Sequence, residues 1–168
     1  ATATVQVPAR SLQLTTISTL NRQITLDTTG TVTAVDTYQI FSNATSPLST
    51  FVLSLPIEAT NVVVRDESGE ALQKILSTPT SSNIILANTT LSAFLSKGQS
   101  IVITALYNLP GATLESAKYI LNFQLFPNFQ YLVQQATMTF VPPEGATIMA
   151  PQVSSLDKAS TLTRNPYQ

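Results

Sequence analysis

The sequence predicts an all-β protein, an immunoglobulin-like antiparallel β-sandwich with an extended N-terminal strand. Three observations predict it. Apolar and polar residues alternate with period two in run after run; these runs are rich in β-branched and aromatic residues; and Gly, Pro, Asn and Asp fall between them at spacings of roughly 8–12 residues with no helical period intervening. The 168 residues suit one domain, and an apolar content of 43% supplies a core.

Taken in order, Gln23–Thr28 alternates cleanly, and Thr31–Ile40 is a longer Thr- and Val-rich run just after Gly30. Phe51–Leu55 places large apolar groups at odd positions and ends at Pro56. Asn61–Arg65 is a short β-branched run. Asp66-Glu67-Ser68-Gly69-Glu70 reads as a turn before Ala71–Leu76. Asn83–Ala87 is a compact buried-strand candidate, and Lys97-Gly98 turns the chain into Gln99–Tyr107. Lys118–Phe126 and Tyr131–Phe140 form a further pair, closed by Pro142-Pro143-Glu144-Gly145. The best helix candidate is Thr89–Ser96, where Leu91, Phe94 and Leu95 stand at i, i+3 and i+4. The uncharged window between Lys118 and Glu144 holds too many Asn, Gln and Pro residues for a spanning helix.

Composition narrows the function. Only 10% of residues are charged, 8 basic and 9 acidic, against roughly 25% in an ordinary soluble domain. Thr (25) and Ser (17) make up a quarter of the chain, and Asn and Gln add 21 more, so the surface is polar mainly without charge. With no Cys and no His there is no Cys/His zinc site, haem histidine, disulfide or His-based nucleophilic triad. A net charge of −1 with scattered Lys and Arg leaves no basic footprint for nucleic acid. No metal or cofactor is implied.

Carboxylates are the remaining acid/base groups. Asp66, Glu67 and Glu70 cluster around a turn, without the ligand pattern of a calcium loop. Glu58, Glu115, Glu144 and Asp157 stand singly. A glycosidase needs two carboxylates brought together by the fold, and nothing local supports that; no catalytic residue is expected and the chain is read as a non-enzyme. Asp27 and Asp36 lie within strand-like runs. An isopeptide bond from Lys74, Lys97 or Lys118 would need a buried lysine beside an acid, and outward-facing strand residues are the default reading. The aromatic residues fall mostly inside strand runs and read as core.

Residues 1–20, ATATVQVPARSLQLTTISTL, are the most informative segment. They hold one charge, Arg10, and no Gly. Val5, Val7, Leu12 and Leu14 alternate with polar partners, and Ile17 and Leu20 follow after a phase slip. One reading makes this the first strand or two of the chain's own sandwich. The sharper reading makes residues 1–20 a donor strand that leaves its own head, residues 21–168, and completes a groove in the next subunit. Main-chain hydrogen bonds would supply affinity, while Val5, Val7, Leu12, Leu14 and Ile17 fill pockets. An uncharged edge strand is otherwise an aggregation hazard, and a head-to-tail contact of this kind builds a filament rather than a closed ring. Two sequons, Asn43-Ala44-Thr45 and Asn88-Thr89-Thr90, mark Asn43 and Asn88 as N-glycan acceptors. Together with a start at Ala-Thr-Ala, which suits the region after a signal-peptidase cut, they point to an extracellular protein.

A Cys-free, Thr/Ser-rich, sequon-bearing chain with this β-prone N-terminal tail resembles the subunits of archaeal threads, the thin surface filaments of thermoacidophilic Sulfolobales. The resemblance implies a glycosylated β head joined head to tail to identical subunits by donor-strand complementation, similar in plan to chaperone–usher pilins, in a cell-surface filament for adhesion or cell–cell contact. The alternative is a monomeric β-sandwich adhesion or scaffold domain of a larger archaeal surface or S-layer-associated protein, since TYQIFSNATSPLSTFVLSLP followed by NVVVRDESGE also resembles extracellular sandwich domains. An acidic exterior fits either. Hydroxyl, amide and apolar side chains do not titrate near pH ~4, where carboxylates do.

Overall fold

The computed structural model describes residues 14–77, 84–115, 118–121, 126 and 131–147. Ten strands run in chain order: β1 Thr15–Leu26, β2 Val32–Ser42, β3 Leu48–Pro56, β4 Thr60–Asp66, β5 Lys74–Leu76, β6 Ile84–Leu95, β7 Ser100–Leu109, β8 Thr113–Glu115, β9 Lys118–Ile120 and β10 Leu132–Val141. They form a five-stranded sheet of order β10-β1-β2-β7-β4, a three-stranded sheet of order β3-β6-β5, and a small β8-β9 ribbon. No helix occurs among the described residues. The protein is an all-β sandwich, as its alternating runs predict.

The core lies between the two large sheets. From the five-stranded sheet it takes Ile17, Leu20, Ile24, Leu26, Val32, Ala34, Tyr38, Ile40, Val62, Val64, Ile103, Ala105, Tyr107 and Leu109. Phe51, Leu53, Leu55, Ala87, Leu91 and Leu95 face them from the other sheet. Residues i and i+2 share a face of a strand, so the even positions of β2 and the odd positions of β7 turn inward. Ile17 and Leu20 break that spacing in β1, and both are buried because a bulge between Ile17 and Thr19 shifts the register against β2. All pairings within the large sheets are antiparallel except β1–β10, which is parallel, with Ile17 beside Val133 and Arg22 beside Met138.

Two hairpin turns share one design. In Asp27–Thr31 and Asp66–Glu70 the Asp carboxylate accepts main-chain bonds from the residues two and four further on, at 2.8–3.0 Å. It also accepts the hydroxyl of Thr29 or Ser68, each at 2.6 Å. Gly30 and Gly69 both sit at φ 86°, a left-handed conformation that glycine adopts without strain. Asp27, which reads in the sequence as a strand residue, is thus the cap of a turn.

The Thr89–Ser96 helix does not form. Thr89 and Thr90 are β-branched and continue the alternation of β6, with Ala87, Thr89 and Leu91 inward and Asn88, Thr90 and Ser92 outward. Leu95 returns to the core because the β3–β6 register slips between Leu48/Leu95 and Thr50/Thr90, while Phe94 is left 71% exposed. The Ala71–Leu76 run pairs as a strand only at Lys74–Leu76, with Ala71 a single bridge to Arg65.

Candidate functional site

Three features bear on function: the start of β1, the outer rows of the smaller sheet, and a polar cluster inside the core.

β1 is one continuous strand through residue 20, paired with β2 on one side and β10 on the other. A boundary between tail and head after residue 20 therefore falls inside it. Ile17 is 1% exposed and sits between Ile40 and Val133 in the chain's own core. Within this chain Ile17 is a core position of β1, and taking it out would open a hole in the head. Leu14, just before β1, is 48% exposed, and its carbonyl accepts the Asn43 amide. Val5, Val7 and Leu12 lie outside the described residues.

The two large sheets are unequal, five strands facing three. At one side they meet closely: Leu72 N donates to the Val64 carbonyl at 2.8 Å, tying the approach to β5 onto β4. At the other side Phe51 of β3 stacks on Tyr131, the residue before β10, with ring centroids 4.5 Å apart and planes at 19°. The Val52 main chain bonds the Tyr131 hydroxyl, whose pKa burial raises. Val133, Met138 and Phe140, which continue the inward rows of β1 across β10, are half-buried, and Ala136 is exposed. Among the described residues no strand pairs with the outer edge of β3 or of β10.

Both sequon asparagines are exposed, Asn43 after β2 and Asn88 on the outer face of β6, and the sequon hydroxyls Thr45 and Thr90 are exposed with them.

The third feature is a site that the default reading of strand charges misses. Arg22 and Asp36 stand directly opposite each other on β1 and β2, on the core face, with side chains 0% and 1% exposed. Arg22 Nε lies 3.3 Å from Asp36 Oδ1. Tyr107 Oη donates to Asp36 Oδ2 at 2.7 Å and Tyr38 Oη donates to the same oxygen at 3.3 Å. An Arg22 guanidinium N–H donates in turn to the Tyr107 hydroxyl, and the guanidinium carbon lies 6.0 Å from the ring centroid. Ala105 opposite Asp36 and Ala34 opposite Tyr107 make the room. Burial pushes the Asp36 carboxyl above the usual carboxylate range, the Arg22 charge and the two hydroxyls pulling it back only in part. Burial likewise raises Tyr38 and Tyr107 well above an ordinary phenol, with the nearby carboxylate adding to it. The outward expectation for Asp36 is overturned, and the pattern contained the signal. Val32, Ala34, Tyr38 and Ile40 are inward, and Asp36 is in their row; Arg22 lies between Leu20 and Ile24 in the same way.

Among the described residues the other charges stay out of the core. Asp66, Glu67 and Glu70 remain in their turn, with the Ser68 hydroxyl foremost in lowering the Asp66 pKa, as the Thr29 hydroxyl lowers that of Asp27. Lys97 and Lys118 are exposed and Lys74 is half-buried at the edge strand. Among the described residues no group of three His, Cys, Asp or Glu side chains converges on a metal-sized site, and no helix is long and apolar enough to cross a membrane.

The fold thus places the chain in the broad class of all-β sandwiches. No family model matches the sequence, and no curated protein matches it. Among solved structures, an M1 zinc metallopeptidase from Deinococcus radiodurans aligns at 16% identity over 60% of this chain and 21% of the peptidase, with a TM-score of 0.44. The native leukotriene A4 hydrolase from Saccharomyces cerevisiae aligns at 5% identity over 56% and 15% of the two chains, with a TM-score of 0.42. The chain spans about a fifth or less of the length of these enzymes. Likenesses this slight carry no argument about activity.

Proposed function

We propose that the chain is the structural subunit of an extracellular, glycosylated filament, assembled head to tail with identical subunits and performing no catalysis. The observation that supports this reading is the unequal sandwich. β3 presents an unpaired edge among the described residues, and the inward row of the neighbouring β10 (Val133, Ala136, Met138, Phe140) is only partly covered. An added strand would satisfy the edge and fill the row. The segment ahead of Thr15 has the required pattern, with Val5, Val7 and Leu12 alternating and no charge but Arg10. The subunit's own fold needs β1 from Thr15 onward, so the donor segment is residues 1–14 rather than 1–20. Exposed sequons at Asn43 and Asn88 support the surface location. The resemblance to archaeal thread subunits supports adhesion or cell–cell contact as the filament's use.

The test is deletion of residues 1–13, followed by size exclusion and electron microscopy. Loss of filaments with a folded head is the expected result, and a synthetic peptide of residues 1–14 should bind that head without joining heads into filaments. Filaments that persist without the segment would overturn the donor-strand reading. A full-length chain that stays monomeric would favour the monomeric adhesion or scaffold domain.

A further inference from the structure

The three-stranded sheet has an unusual outer face. Asn88 occupies the middle of β6, with Val52 of β3 in register on one side and Ile75 of β5 on the other. Ile75 is 75% exposed, Val52 and Leu86 are half-buried, and the flanking Thr50 and Thr90 are exposed, while Ser54 further along β3 is buried. Among the described residues no charged side chain stands in these rows, because Lys74 pairs with inward-facing Thr89. β5 is an edge strand of three residues, and Leu76 beside Ile75 is 44% exposed. Exposed apolar edges are ordinarily guarded by charge, proline or a covering element. Here the guard available on the face itself is the sequon.

We infer that the saccharide on Asn88 lies down on this face, over Ile75 and Val52, and acts as its apolar cover. This rests on the glycoprotein part of the reading above and is independent of filament assembly. Alternation in β6 points Asn88 and the sequon hydroxyl of Thr90 to the same outward side. Neighbouring strands are about 4.8 Å apart, a distance one pyranose ring spans, so the first sugar reaches either flanking side chain. A pyranose has an apolar C–H face and a rim of hydroxyls. Laid on Ile75, it removes the methyl groups from water and returns hydrogen-bonding groups to the surface, next to Thr50 and Thr90. The ligand class is an N-linked hexosamine-type core presenting such a face.

The experiment uses the full-length glycosylated protein. Mass spectrometry establishes occupancy at Asn88, and nuclear Overhauser contacts are sought between the Ile75 methyls and the ring protons of the first sugars. Binding of the dye 8-anilinonaphthalene-1-sulfonate is then compared across variants. Asn88→Gln, and separately Thr90→Ala, which removes the same glycan while keeping the asparagine, should raise dye fluorescence severalfold; Asn43→Gln should not. Adding Ile75→Thr to Asn88→Gln should return it to the starting level. An unmodified Asn88, or an occupied one whose removal leaves dye binding unchanged, would overturn the inference. A full-length glycosylated protein that stays monomeric with these glycan contacts intact would overturn the assembly reading alone.

Discussion

Replacing Asp36 with Ala strips the core of a charge on which three other groups depend. Arg22 loses the carboxylate 3.3 Å away, and the Tyr38 and Tyr107 hydroxyls lose their shared acceptor. Breaking a buried pair from one side costs about 3–5 kcal/mol, since the remaining charge is left in a low dielectric. For a chain of this length each kcal/mol moves Tm by about 2–4 °C, so a fall of roughly 6–20 °C is expected. Arg22→Ala alone should lie in the same range. The double variant Arg22→Ala/Asp36→Ala should be less damaging than the sum of the two, with a coupling of about 1–3 kcal/mol. An all-apolar cluster, Arg22→Met, Asp36→Leu, Tyr38→Phe and Tyr107→Phe together, should come close to the parent or exceed it, because no buried group then lacks a partner. Urea unfolding followed by circular dichroism measures all four. Single variants that add to within ~0.5 kcal/mol of the double would refute the coupling. So would an Asp36→Ala loss below about 1 kcal/mol, well under the cost of a buried charge without its partner.

Acid should act on the carboxylates with opposite signs. The folded pKa of Asp36 is raised, so its contribution is complete below the unfolded value of 3.8 and is lost as pH rises through the folded one. The stability gap between the parent and Asp36→Asn should widen as pH falls through the carboxylate range, and a narrowing gap would show the sign to be wrong. Asp27 and Asp66 are lowered, so their contributions are present above 3.8 and fade as pH falls through the folded values. The gaps to Asp27→Asn and Asp66→Asn should therefore close in acid. Gly30→Ala places a side chain at φ 86° while its Cβ meets the Tyr119 ring at an ordinary 3.4 Å. The expected loss is about 1–2 kcal/mol from backbone strain, read by thermal unfolding. Replacing Val5 and Val7 together with Asp should weaken assembly in sedimentation and leave the melting of the head unchanged; a melted head with normal assembly would count against the donor segment.

The strands were legible because alternation is a local signal. Arg22 and Asp36 were also written into the alternation, but the ordinary solvation of charge argues for the outward side. Only their mutual pairing, 14 positions apart across a hairpin, reverses that balance. Thr89–Ser96 satisfied a helical spacing by coincidence. Leu91 is inward by the alternation of β6, and Leu95 returns to the core through a register slip against β3, which is set by a strand some 40 positions earlier. The parallel partnership of β1 and β10 joins segments more than a hundred positions apart, and no local pattern encodes such a choice. The partly covered row on β10 follows from that topology and was equally out of reach.

That partnership has a mechanical consequence. β1 starts at the point where residues 1–14 join the body, and it is held along nearly its whole length by β2 on one flank and β10 on the other. Tension applied at Leu14 along the strand axis loads both ladders in shear. Many bonds must then give way together, whereas a strand pulled sideways from an edge unzips them one at a time. A chain drawn taut through this residue is gripped by the strongest geometry a sheet offers, and its yield point is set by the β1 ladders rather than by the loops.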